Sequence, residues 1–165
     1  MKIILYDIGE ETLRAHLRPS DKERYFFSAH PMVTPCQGCF SCWFKTPGKC
    51  VIHDRHNSFL EQLKVCEEIN VISRCVYGGL SPQVKAVMDR SLGILLPFFK
   101  NRNGEMHHPT RYDNAFKLRY FFYGNITDDE MAIAKDVALA NAVNLEADGY
   151  EVFFLQNLEQ LEALL

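Results

Sequence analysis

Apolar and polar positions along the chain alternate between two periods, and the alternation predicts an ordered series of strands and helices. Lys2 to Ile8 is apolar and β-compatible and predicts strand one. Glu10 to Arg18 predicts a helix of about two turns ended by Pro19. Arg24 to Ser28 predicts strand two. After a cysteine-bearing loop, Ser58 and Glu61 form a capping-box pattern, with Phe59, Leu63 and Cys66 on the apolar face of the helix that follows. Ile69 to Val76, a continuous apolar run broken by Arg74, predicts buried strand three. Tyr77-Gly78-Gly79-Leu80 predicts a loop, and Ser81-Pro82 opens a helix with serine as N-cap and proline in the first turn. Val84, Val87, Met88 and Ser91 are expected to face the sheet from that helix.

Pro97 to Ala115 is polar and aromatic and is expected to be an inserted excursion. Phe116 to Tyr123 predicts strand four. Thr127 with Glu130 predicts a second capping box before a long helix to Asp148, with Met131, Ala134, Val137, Ala138 and Leu145 on its buried stripe and Gly149 ending it. Tyr150 to Leu155 predicts strand five, and Leu158 to Leu165 a short closing helix. Strands alternating with helices at this spacing imply an α/β domain, residues 1–165, whose five-stranded parallel sheet has the order 2-1-3-4-5 and carries helices on both faces. A ligand then belongs beyond the carboxyl ends of the strands, where strands one and three diverge. The loops after Tyr6-Asp7, at Tyr77-Gly78-Gly79 and at Tyr123-Gly124-Asn125 are expected to converge there.

The 165 residues are 47% hydrophobic, enough for a sizeable core. A net charge of −3 points away from nucleic acid. No apolar run approaches the roughly 18 residues of a membrane span, and Met1 leads straight into a strand without a leader, so a cytoplasmic setting is expected. In such a reducing compartment the six cysteines are expected to be free, catalytic or metal-bound. Four of them, Cys36, Cys39, Cys42 and Cys50, fall at C-x2-C-x2-C-x7-C in a loop that also holds the single Trp. Four soft ligands on a compact loop suit a [4Fe–4S] cluster. The alternatives are small buried thiols under Trp43 and Phe44, or a redox pair of Cys39 and Cys42. Zinc fits less well, because four sulfurs usually come from two separated knuckles.

Cys39-Phe-Ser-Cys42-Trp-Phe-Lys-Thr-Pro-Gly-Lys-Cys50, Val76-Tyr77-Gly78-Gly79-Leu-Ser81, Lys85-Ala-Val-Met-Asp89-Arg90 and Asn141-Ala-Val-Asn144 resemble the flavodoxin-like NAD(P)H-dependent FMN reductase and iron–sulfur flavoprotein families. The resemblance runs from Cys36 to the C-terminus. It implies a flavodoxin-like three-layer sandwich and FMN held at Val76, Tyr77, Gly78, Gly79, Ser81, Gly124 and Asn125. It also implies NAD(P)H as electron donor, a small acceptor or redox protein as recipient, and a homodimer or homotetramer. The N-terminal quarter departs from this pattern. Asp7-Ile8-Gly9-Glu10-Glu11 places three carboxylates where the flavin phosphate would dock on a helix N-terminus. Unit charges about 4 Å apart repel by roughly 4 kcal/mol at an effective dielectric of 20.

Three functions are therefore carried forward. The first is an FMN-dependent oxidoreductase, in which a Tyr77 wall and close-approaching glycine N–H groups position the ring and no protein acid or base is obligatory. The second is a degenerate flavodoxin-like binding subunit without flavin. The third is an iron–sulfur electron-transfer protein. Arg74 is expected either to pair with a carboxylate such as Asp7 or to face a ligand. Lys85 and Asp89 are spaced for an i,i+4 pair. His53, Asp54 and His56 suit helix entry or a metal. His107 and His108, with Arg111 and Tyr112, suit a solvated excursion, a subunit interface or a nicotinamide pocket.

Overall fold

The computed structural model describes residues 1–17, 23–102 and 104–165; the predicted helix end at Arg18 and Pro19 lies outside them. The central sheet comprises β1 (Lys2–Tyr6), β2 (Arg24–Ser28), β3 (Glu68–Arg74), β6 (Lys117–Tyr123) and β7 (Gly149–Leu155). All pairs are parallel, in the order β2-β1-β3-β6-β7. With the two short strands of the excursion set aside, this is the predicted order.

Each buried strand feeds two cores, because successive side chains point to opposite faces. Ile3, Leu5, Ile69, Val71, Leu118, Tyr120 and Phe122 enter one core. Ile4, Tyr6, Ile72 and Phe121 enter the other. The first core is covered by α3 (His56–Leu63), α4 (Pro82–Asp89) and α5 (Asp128–Asn144). The second is thinner, covered by α1 (Glu10–Ala15) and α6 (Leu161–Leu164), with Leu13 and Leu161 fully buried. Where those short helices leave the sheet open, charged groups cover it. Arg119 bonds Glu151 at 2.6 Å and Leu164 O at 2.9 Å, and lies over the rings of Phe121 and Phe153.

The helix starts follow local chemistry. Ser81 accepts the Val84 N–H with Pro82 in the first turn of α4. Thr127 and Glu130 form the reciprocal capping box at α5. Ser58 caps nothing: α3 begins two residues earlier, where Asp54 accepts the His56 N–H at 3.0 Å, and the Ser58 hydroxyl donates back to Arg55 O. An aspartate two positions upstream supplied the stronger acceptor. The far end of α5 also differs from expectation. Its left-handed residue is Glu146 rather than Gly149, and Ala147 N–H reaches Ala142 O in a Schellman closure. A side chain in that position is disfavoured, but here the carboxylate accepts from Arg102 at 2.7 Å and from Thr110 N–H at 3.1 Å. Those bonds dock the excursion on the helix. The excursion itself is an antiparallel hairpin, β4 (Lys100–Arg102) with β5 (Glu105–His107), closed at its base by the Leu95–Thr110 bridge. On α5, the fully buried positions are Ala134, Ala138 and Ala142, whose small size lets the helix approach the sheet. Of the expected stripe, Met131, Val137 and Leu145 are only partly covered, and Ile133 and Leu139 are exposed.

His56 is fully buried between α3 and α4, its Nε2 donating to Val87 O at 2.9 Å while Nδ1 has no partner. Burial pushes its pKa from 6.5 down to about 4. The unfolded chain therefore binds a proton there at a higher pH than the folded chain does. This contribution is complete above pH 6.5 and is lost as pH falls toward 4, a loss of roughly 3 kcal/mol over about 2.5 pH units. Asp54 and Glu68, both held below the usual carboxylate range, add to the loss at the acid end. Urea unfolding of the native chain is expected to weaken by this amount between pH 7 and pH 4, and His56→Leu to flatten the slope between pH 6.5 and 5.

Candidate functional site

The carboxyl ends of β1, β3 and β6 meet around Asp7. Its carboxylate accepts the Arg74 backbone N–H at 3.0 Å and the Tyr123 hydroxyl at 3.0 Å, while its own N–H donates to Ile72 O. Asp7 is therefore held by the main chain of Arg74, while the Arg74 side chain is exposed and lies with its Cγ 3.7 Å from where a Gly124 Cβ would stand. Burial, and then the Asp7 charge, raise the Tyr123 pKa, so its hydroxyl keeps its proton and remains the donor.

Beyond this knot the tips of β3 and β6 stay together. Cys75 N–H donates to Tyr123 O at 2.9 Å. Val76 and Gly79 then pair twice through their main chains, and Tyr77 and Gly78 between them both have positive φ. This two-residue turn points the Tyr77 ring outward, 86% exposed. Gly78 is required twice over: its φ is +78°, and a Cβ there would lie 2.5 Å from Ile133 and 3.0 Å from Glu130 O. The Gly79 N–H is engaged internally, donating to Val76 O. The turn also presents an exposed aromatic face. Gly124 and Asn125 are exposed at the neighbouring tip. Ser81 is buried, its N–H donating to Ser73 Oγ at 2.9 Å while its hydroxyl caps α4, so it stands behind the turn.

At these tips Tyr77 presents an exposed ring, and Gly124 and Asn125 are exposed on the neighbouring strand end. At the start of α1, however, Asp7 is locked in place, Glu11 is exposed, and Glu10 holds Arg14 through bonds of 2.8 and 2.9 Å. The helix has six residues and no side-chain cap.

Cys42 lies near enough to Cys50, Cys36 and Cys39 for their charges, after burial, to raise its pKa. Among the described residues no three His, Cys, Asp or Glu side chains stand close enough to share a metal ion, so the expected [4Fe–4S] site at Cys36, Cys39, Cys42 and Cys50 is not supported. Each thiol has other surroundings. Cys36 and Cys39 are exposed. Cys42 packs on Gly93, and Cys50 faces the Arg90 guanidinium. The Ser41 hydroxyl and N–H lower the Cys39 pKa. The loop is tied by Arg90, only 3% exposed, which donates to Thr34 O before the first cysteine, to Ile52 O after the last, and to Asp54 at 2.5 Å.

The remaining candidates act as structure. Lys85 and Asp89 pair across one turn at 2.5 Å. Asp54 and His56 serve helix entry and core, while His53 lines a separate cavity of about 490 Å³ with Thr46, Cys50 and Asn57. His107 bonds Asn144 and Glu105, and His108 stacks between Trp43 and Phe99, so the excursion leans on the cysteine loop. His107 and His108 also line a cavity of about 410 Å³ with Cys36, Leu95 and Asn141. Arg111 donates to Gly93 O and Leu95 O, and the Tyr112 hydroxyl packs against Gly48. Sequence reasoning missed Tyr123 and Arg90. The signals were a hydroxyl-tipped aromatic ending the strand across β3 from Asp7's strand, and an arginine following a helix whose sheet-facing stripe is otherwise apolar.

No protein-family model matches the chain. In sequence it is 33% identical over 95 residues to an iron–sulfur flavoprotein of Methanocaldococcus jannaschii, covering 57% of this chain and 48% of that protein. The chain thus matches about half the length of that relative. In structure, Smu.1420 of Streptococcus mutans matches with a TM-score of 0.65 at 8% identity, over 99% of this chain and 98% of that one. The fold is flavodoxin-like. An FMN-dependent NADH-azoreductase of Bacillus anthracis, solved with FMN, matches at TM-score 0.55 and 13% identity over 98% and 92% of the two chains. An NAD(P)H:quinone oxidoreductase of Methanothermobacter marburgensis matches at 0.59 and 9% over 99% and 94%. The resemblance drawn from Cys36 onward is thus borne out. Among the described residues, no helix is long and apolar enough to cross a membrane.

Replacing Arg90 by Met strands Asp54 and two backbone carbonyls at the loop's ends. A loss of about 3 kcal/mol is expected in urea unfolding, with proteolysis of native protein moving into residues 35–50.

Proposed function

We propose that the chain is a flavin-dependent oxidoreductase that takes electrons from NADH or NADPH and passes them to a small acceptor or a redox partner. The observation that carries the reading is the pairing of the β3 and β6 tips, where a fixed two-residue turn presents the Tyr77 ring beside an open glycine edge. The likeness to the azoreductase, the quinone oxidoreductase and the iron–sulfur flavoprotein supports it, and brings FMN as the flavin. A bound flavin supplies hydride acceptance from a nicotinamide. The chain's own part is to stack the ring on Tyr77, hold the tips in register through Asp7, and leave the Gly124-Asn125 edge open. The ring end suits a flavin; residues 7–11 do not suit the phosphate of FMN.

A homodimer or homotetramer belongs to the same proposal. Tyr77, Ile133 at 48% exposure and Leu139 at 45% leave apolar surface along the turn and α5, and a second copy packed there would shield the ring from water.

The test is oxidation of NADH and NADPH followed at 340 nm with and without added flavin and with a quinone or azo acceptor. Flavin-dependent consumption is expected. Tyr77→Ala should weaken flavin binding about tenfold, the loss of one aromatic stack, while urea stability changes little, because the ring is 86% exposed and alanine keeps the left-handed Cβ. Nicotinamide consumption that ignores added flavin would overturn the reading.

A further inference from the structure

We propose that this site recognises flavins through the ring alone and discriminates against the 5′-phosphate, so that riboflavin is its better ligand and FMN the poorer. The inference rests on the flavin reading above and names the flavin class.

Apart from the first-turn N–H groups of α1 and the Thr12 hydroxyl, the groups that would meet a phosphate at the β1 tip are anionic or already engaged. The Asp7 carboxylate has two donors fixed on it, Arg74 N–H and Tyr123 Oη–H, from two different strands. Rotating it aside for an anion would leave both donors unpaired in a partly buried knot. Glu10 and Glu11 follow in the first turn of α1, where their charges already occupy the positive end of the helix field. Among the described residues, the nearby cations are not free to compensate. Arg14 is held by Glu10 through two nitrogens. Arg55 donates to Ser28 O and Pro31 O and lies over Phe27. Arg74 lies along Gly124, at the ring end. The field at this tip therefore favours a neutral ribityl tail over a dianion, and its effect must fade with salt.

The experiment is a pair of fluorescence titrations, riboflavin and FMN, at low and at 0.5 M salt. The proteins are the native chain, Glu11→Gln and Glu10→Ser/Glu11→Asn. Glu11 is exposed, so the single variant leaves the fold in place. Riboflavin is expected to bind at least about tenfold more tightly than FMN at low salt. Salt should narrow that ratio, as should each variant, the double one most. FMN binding as tightly as riboflavin, or more tightly, overturns the discrimination and leaves the flavin reading standing. A ratio unmoved by salt and by both variants overturns the electrostatic cause. Failure of both flavins to bind at millimolar protein removes the flavin reading and this inference together.

Discussion

One carboxylate sets the geometry of the end of the sheet where ligands bind. Asp7 leaves β1 and accepts donors from β3 and β6. In a parallel sheet strand tips diverge with the twist. The β3–β6 ladder runs on to Arg74 and Tyr123, but β1 ends at Tyr6 and is tied further only by the Asp7 N–H to Ile72 O and by the Asp7 carboxylate. A charge-assisted hydrogen bond from a backbone N–H and another from a phenol are stronger than neutral ones, and the phenol bond is partly shielded from water. With the tips pinned, the Tyr77-Gly78 turn rests against the start of α5, and the tyrosine ring faces outward. On the proposed reading the same interaction also opposes a phosphate, because a carboxylate committed to two donors cannot give way to an anion.

A partly buried ion pair organises the other unusual segment. Arg90 reaches both ends of the cysteine loop and the Asp54 that starts α3. A long loop of polar backbone over a helix layer needs such a partner, because its carbonyls would otherwise be buried unpaired. The loop is therefore shaped by an arginine and by the aromatic contacts of Trp43 with His108, rather than by its thiols. That is how regular cysteine spacing coexists, among the described residues, with no set of three side chains placed to share a metal ion.

The fold was legible because period and caps agreed. Strand positions, sheet order, the Ser81 and Thr127 caps and the excursion all follow from local rules. Ser58 misled because a serine–glutamate spacing matched a capping box while Asp54, two residues before His56, offered a better acceptor. Gly149 misled because glycine is the usual left-handed cap, whereas Glu146 tolerates that position through bonds to Arg102 and Thr110, more than thirty residues away in sequence. The site was half legible. Tyr77-Gly78-Gly79 and Gly124-Asn125 could be placed at strand ends from the chain alone. Which donors were already used could not, since the Gly79 N–H returns to Val76 O only once the turn has formed. Asp7 with Tyr123 is the clearest case: 116 residues separate them.

The most direct test is ³¹P NMR of FMN held in excess protein, with quenching of ring fluorescence confirming that the flavin is bound. The expected result is a phosphorus resonance with the chemical shift and pH titration of free FMN, because the tail projects into water while the ring sits on Tyr77. A displaced resonance that no longer titrates near neutral pH would place the dianion among the N–H groups of residues 8–12, and would contradict the role given to Asp7.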